Sequence, residues 1–248
     1  MARWPHMLER ILAKIQTLHN EHKKSLVVFD LDSTLFDVSP RLERILLDFA
    51  ASPYNKRKFP EQVALLKDIK TLRSDWGITG ALQRAGLDGH HAEFQEAIRA
   101  YWLKNFFSSH YLQFDNPYEG AIEFVQAVDK AGAEIAYLTG RDVERMGVGS
   151  LEILQQWDFP LHEKAHLVLK PHRSMDDAQF KTDYFIEADK RGYEHIWFFE
   201  NEPVNLRHLE QFCPHVEMIF FESTHAGKAE PPEDLPRIMN FLLNQKES

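Results

Sequence analysis

The sequence predicts an α/β fold built on a parallel sheet, with an all-helical unit inserted after the first strand. Three observations carry this reading. Short apolar runs recur at residues 26–29, 135–138, 196–199 and 218–221, with a weaker one at 166–169; uninterrupted runs of this length suit strands buried on both faces. Helical spacing separates them, as where Ile122, Val125 and Val128 share a face and Gly132 follows as a helix stop before the next run. Between Asp37 and about Pro117 the strand pattern lapses and only helical periodicity remains.

Taken in order, residues 1–24 mix Glu9, Lys14, His19 and Lys23 into a helical pattern whose apolar face is Leu8, Ile11, Leu12 and Ile15, which predicts a packing helix and no signal peptide. The first apolar run then ends in Asp30-Leu31-Asp32. Ser39 and Pro40 open the insert as N-cap and first helical position, followed by Leu42, Ile45, Leu46 and Phe49 on one face. Breaks are expected at 55–60, 77–80 and 86–89. The domains are read as a core of residues 1–37 and 116–248 and a helical unit of 38–115. Because the insert leaves the core directly after the Asp30/Asp32 turn, it is expected to lie over it.

Composition narrows the function. With 248 residues, 44% hydrophobic and 27% charged, the chain is ordinary globular material able to build a sizeable core. The formal charge of -9 argues against a nonspecific grip on nucleic acid or anionic lipid, so an anionic substrate needs a local positive site. Cys213 is the sole cysteine, which excludes an internal disulfide and a multi-cysteine metal site and fits a reducing compartment. No apolar run approaches the roughly 20 residues of a membrane span. The expectation is a soluble, cytoplasmic protein, with nothing in the sequence to set its oligomeric state. Neither a G-x-G-x-x-G after a first strand nor a G-x-x-x-x-G-K-[ST] occurs.

The chemistry concentrates at the strand ends. Asp30 and Asp32, two residues apart in extended backbone, point the same way into one cavity. Oxygen ligands of this kind suit a hard cation such as Mg²⁺. A carboxylate can also attack phosphorus and divide one displacement into two. Thr139 and the N–H of Gly140, at a strand-to-helix turn, can hold phosphate oxygens. Glu200 ends a third strand, and ligands of open α/β sheets gather outside such ends.

Asp30-Leu31-Asp32-Ser33-Thr34 after an apolar strand resembles the first motif of the haloacid dehalogenase (HAD) superfamily. Ala136-Tyr137-Leu138-Thr139-Gly140-Arg141 resembles the second, Lys181 the third, and Phe198-Phe199-Glu200-Asn201-Glu202 the acidic fourth. The resemblance spans residues 24–222 and implies a Rossmann-like three-layer core with a mobile helical cap. It assigns Asp30 as nucleophile and Asp32 as the acid and base serving the leaving alcohol and the incoming water. Members that displace halide lack a carboxylate at the second position, so the chain resembles the phosphatases. The resemblance further implies Mg²⁺ held by Asp30, the backbone carbonyl of Asp32, and Glu200 directly or through water, with Thr139, Gly140 and Lys181 on the phosphate.

Two assignments stay open. Lys170 ends a strand and competes with Lys181, whose spacing before Glu200 is the more typical. The Glu-Asn-Glu fourth motif departs from the commoner acidic pattern, leaving Asn201, Glu202 and Asn205 as alternatives for a supporting contact. Arg141 and Asp142 are read as structural ion-pairing residues in preference to substrate contacts, 55–58 as a solvated basic loop in preference to an attractor of anionic substrate, and Trp76, Tyr101, Trp102, Phe106 and Phe107 as cap core, one of which is able to line the pocket. The pair His90-His91 and the scattered His162, His166 and His172 carry no zinc pattern. The function expected is Mg²⁺-dependent hydrolysis of a small phosphomonoester. The alternatives are phosphotransfer or phosphomutase chemistry on the same core, and a noncatalytic HAD-like binding module.

Overall fold

The computed structural model describes residues 6–89 and 91–243. The chain opens with α1 (Met7–Asn20), β1 (Ser25–Phe29) and a short β2 (Phe36–Asp37). The insert follows as α2 (Ser39–Ala51), α3 (Pro53–Lys58), α4 (Pro60–Leu65), α5 (Thr79–Arg84), α6 (Ala92–Phe106) and α7 (Ser109–Leu112). After β3 (Asn116–Pro117) the elements alternate: α8 (Ala121–Ala131), β4 (Glu134–Asp142), α9 (Val143–Gln156), β5 (Ala165–Lys170), α10 (Asp177–Asp189), β6 (His195–Glu200), α11 (Pro203–Phe212), β7 (Glu217–Phe221) and β8 (Arg237–Ile238).

Six strands form one sheet in the order β5-β4-β1-β6-β7-β8, every neighbour pair parallel. The two-residue period of a strand makes the layers. On β1, Val27 and Phe29 enter a core with Ile11 and Ile15 of α1 and Phe124 and Val128 of α8. Leu26 and Val28 enter the opposite core, with Phe185 of α10 and Leu206 and Leu209 of α11. The expected α/β core of three layers is therefore present, and it carries its helical cap after the first strand.

The insert has a hydrophobic cluster of its own, with Leu46 and Phe49 of α2 packed among Leu66, Leu82, Phe94 and Ile98. Its two connections to the core run side by side, since β2 and β3 pair antiparallel through Phe36↔Pro117 and Asp37↔Asn116. Ser39 is the first residue of α2 rather than its cap; its N–H is taken by Asp37 Oδ1 at 2.9 Å. Residues 55–58, expected as a loop, form most of the short helix α3, and α5 begins inside the expected break at Thr79. Pro53 and Pro60 each start a helical turn, which turns an apparent break into two short helices.

The last strand, β8, has no counterpart in the sequence pattern because two residues carry no periodicity. Beyond it Phe241 is buried and stacks on Phe124 and Phe221. Gly120 permits that docking: its φ is +77°, and a Cβ there would lie 2.5 Å from the Phe241 carbonyl. Met1 to Pro5 and His90, which enter the terminal-helix and histidine-pair readings, lie outside the described residues. Among the described residues no helix is long and apolar enough to cross a membrane, and no group of three or more His, Cys, Asp or Glu side chains is gathered as a metal cage.

Candidate active site

Strands β4, β1 and β6 are adjacent, and their carboxyl ends open into a cavity of about 550 Å³ that Asp30, Asp32, Thr139, Gly140, Lys181 and Glu200 all line. All six sequence-chosen residues meet there. Asp30 continues the Leu26/Val28 face of β1, and its N–H is fixed by Phe199 O at 3.0 Å. Lys181, one turn into α10, reaches the same face and donates to Asp30 Oδ1 and to Glu200 Oε2, both at 2.6 Å. Lys170 is occupied elsewhere, bonded to Asp177 Oδ1 at 2.5 Å and to Met175 O at 3.0 Å, though it lines the cavity too.

The two buried carboxyl groups and the lysine lie in direct contact. Burial pushes the Asp30 carboxyl up, to about 8, and the Glu200 charge adds to this while Lys181 opposes it. Burial disfavours the Lys181 ammonium, but Asp30 and Glu200 outweigh that and hold it protonated. Two carboxyl groups thus share one ammonium in a buried site, and a bound cation would favour the ionised form of Asp30.

Glu200 is held from every side. Its Oε1 accepts the N–H groups of Asn201 and Glu202 at 2.8 and 2.9 Å, and its Oε2 accepts Asn205 Nδ2 at 2.8 Å besides Lys181. The three candidates for a supporting role therefore divide. Asn205 positions Glu200 directly. Asn201 accepts from Thr34 Oγ1 at 3.0 Å and donates to Thr224 O at 2.6 Å, tying the first and fourth motif loops to the carboxyl-terminal segment. Glu202 accepts the Ala226 N–H at 2.6 Å on that same segment.

On the second motif, Thr139 is buried and its Oγ1 accepts the Arg141 N–H at 3.2 Å, leaving its own proton for a ligand in the cavity. At Gly140 a Cβ would fall 2.8 Å from Asp177 Oδ2, so a larger residue here would displace the Asp177 carboxylate that pairs with Lys170. Asp142 caps α9 through the Arg145 N–H at 2.9 Å and pairs with the Arg145 guanidinium. This is the structural role expected of it.

Asp32 lies in an unexpected setting. Arg141 grips it with Nε on Oδ2 and Nη2 on Oδ1, both at 2.9 Å, and Arg41 Nη2 also donates to Oδ1. Both guanidiniums share buried Asp115: Arg41 at 2.7 Å through Nε and at 2.5 Å through Nη2, and Arg141 at 3.0 Å. Burial opposes ionisation of Asp32, but Arg141 and Arg41 outweigh it and hold the carboxyl well below the usual range. In this arrangement Asp32 is a clamped carboxylate. Two guanidiniums hold it ionised and make it a weak base, so protonating it, and hence donating a proton from it, requires the clamp to loosen.

Arg41 and Asp115 escaped the sequence reading because they lie 74 positions apart, Arg41 among other charges of α2 and Asp115 between α7 and β3, with no motif around either. The one available signal is that Leu42, Ile45 and Leu46 put position 41 beside the buried face of α2. Trp76, Trp102, Phe106 and Phe107 line the cavity, whereas Tyr101 packs in the cap cluster.

The fold and the cleft together define a class: a parallel α/β core with an acid- and lysine-bearing site at its strand ends, beneath an inserted helical cap. A family model described as haloacid dehalogenase-like hydrolase matches residues 24–175, and the chain belongs to that family. The matched stretch holds the first two motifs and the whole cap, and ends before Lys181 and Glu200. No curated protein sequence matches. Among solved structures, the chain resembles a protein described as a candidate phosphatase from Clostridium difficile, with TM-score 0.51 and 12% identity over 81% of this chain and 86% of that one. It also resembles a HAD-superfamily hydrolase from Geobacter sulfurreducens, with TM-score 0.49 and 12% identity over 88% of this chain and 93% of the other. At such identities the likeness concerns the fold.

Proposed function

We propose that the protein is a Mg²⁺-dependent phosphatase that hydrolyses a small phosphomonoester through an aspartyl phosphate on Asp30. The observation that carries this reading is the buried Asp30 carboxyl lining a cavity at the strand ends, joined by one lysine to Glu200 and bordered by Thr139 and Gly140. The boundaries proposed for the two units are 1–37 with 116–248 for the core and 38–115 for the cap, in keeping with the separate hydrophobic cluster of the insert.

The donor set fits a hard cation. It is all oxygen, it includes two buried carboxyl groups, and Asn205 holds Glu200 in one orientation. Asp30, the Asp32 carbonyl and Glu200 would hold Mg²⁺, with Glu200, whose four hydrogen bonds are already made, acting best through water. When bound, the ion offsets the repulsion between a carboxylate and a phosphate dianion.

This chain's own groups supply the rest. Thr139 and the Gly140 N–H receive phosphate oxygens, and Lys181 opposes the effect of burial on Asp30, favouring its ionised form, and neutralises the approaching charge. Asp30 attacks phosphorus, the ester oxygen departs with a proton, and an aspartyl phosphate remains. Asp32, as a carboxylate, then takes a proton from the water that cleaves it. For the first half-reaction Asp32 must carry a proton, so movement of Arg41 with the cap is expected to accompany turnover.

The test is release of phosphate from a panel of small phosphomonoesters, with and without Mg²⁺, by wild type and Asp30→Asn. Metal-dependent turnover lost in the variant supports the reading. Turnover that survives in a folded Asp30→Asn protein removes Asp30 as nucleophile.

A further inference from the structure

The two sides of the cavity differ in kind. The core side supplies carboxylates, hydroxyls and every cation of the lining: Arg141, Lys170, Lys181 and Lys228. The cap side supplies Trp76, Trp102, Leu103, Phe106 and Phe107, and its one charge is Asp75, which is already paired with Arg84 at 2.5 Å. Among the described residues, the cap contributes no lysine, arginine or histidine to this wall. The basic run of α3 is elsewhere.

The aromatic wall is continuous and fixed. The Arg41 guanidinium lies 4.5 Å from the Phe106 ring centre, Phe106 meets Trp102 at 5.9 Å, and Phe107 stands edge-on to Phe106 at 5.0 Å. The loop bearing Trp76 lies against Trp102 because Gly77, at φ +70°, brings no side chain: a Cβ would sit 3.3 Å from the indole. That loop is anchored by Asp75, which accepts the Leu72 N–H at 2.8 Å. Yet Trp76 remains 57% exposed and Leu103 50% exposed. Large apolar groups left open around a polar floor gain when an apolar ligand covers them.

We infer that the alcohol carried by the phosphate is a neutral aromatic one, its ring held against the Trp76, Trp102 and Phe107 wall while the phosphate sits on the core side. The inference rests on the phosphomonoester reading above and names its substrate class. Aromatic faces favour planar partners by stacking or edge contact. A second anionic group on an alcohol held against this wall finds no lysine, arginine or histidine lining the cap side. Of the core cations, Arg141 is committed to Asp32, Lys170 to Asp177 and Lys181 to Asp30 and Glu200, and the exposed Lys228 belongs to the core segment and not to the cap wall.

Non-hydrolysable phosphonates separate this inference from the catalytic reading. Benzylphosphonate, 2-hydroxyethylphosphonate and phosphonoacetate are titrated calorimetrically into the full-length protein with Mg²⁺. The expected order is benzylphosphonate tighter than 2-hydroxyethylphosphonate by about tenfold, with phosphonoacetate weakest. Trp76→Ala, at an exposed position, and Phe107→Leu, which keeps apolar bulk, should each shrink the ratio between the first two. Equal affinities, or a ratio unmoved by both variants, overturn the aromatic class and leave the phosphate site standing. Failure of all three to bind overturns the phosphate site and this inference with it.

Discussion

Replacing Arg41 with Met tests the buried charge cluster that joins cap to core. The substitution keeps most of the side chain's bulk while removing two hydrogen bonds to Asp115, one to Asp32 and one to Phe106 O at 3.3 Å. Arg41 and Asp115 are both fully buried, and deleting one member of such a pair costs about 3–5 kcal/mol because the other is left charged in a dry site. Here Arg141 stays within 3.0 Å of both acids and compensates in part, so the loss expected is about 3 kcal/mol. Urea unfolding of wild type, Arg41→Met, Asp115→Asn and the double variant gives the coupling energy, expected to be at least about 1.5 kcal/mol. In phosphate release, Arg41→Met should lower kcat more than it raises KM, since it disturbs Asp32 rather than the phosphate contacts. A coupling below about 0.5 kcal/mol would refute the argument that this pair is desolvated and mutually dependent.

Further predictions concern the lysines, acid stability and the docked tail. Lys181→Met should reduce kcat/KM by about a hundredfold or more, while Lys170→Met, remote from Asp30, should lose under about tenfold; equal losses would mean that Lys170 shares the phosphate. Asp75 has its carboxyl held low by Arg84 and the Leu72 N–H despite its burial. A lowered folded-state pKa gives stability that is present above the unfolded value near 3.9 and lost as pH falls through the folded one. Asp75→Asn should therefore cost about 1 kcal/mol at pH 7, Arg84 being partly exposed, and progressively less below pH 4 in urea titrations. A cost independent of pH would assign Asp75 a packing role only. Gly120→Ala should lower stability by about 2 kcal/mol or more, because the new methyl group meets the Phe241 carbonyl at a positive φ; an unchanged thermal midpoint would show that the tail docking adds nothing.

What the sequence determined by itself is local. Five strands were legible because four bury a run of apolar residues and the half-buried edge strand β5 still carries one, and the cap because its helices keep a 3.6-residue stripe. The six site residues were legible because each follows or adjoins such a strand or its partner helix, where backbone direction alone sends them to one edge of the sheet. The tertiary structure decided the rest, for a physical reason that is the same throughout: contacts between residues distant in the chain leave no periodic mark. Arg41 and Asp115 form a pair only because β2 and β3 bring the two ends of the insert together. Lys181 rather than Lys170 faces Asp30 because it lies on the same side of the sheet as Val28, against which α10 packs. Trp102 and Phe107, which helical spacing assigns to the cap core, turn to the cavity because the cap closes over strand ends that sequence spacing does not describe.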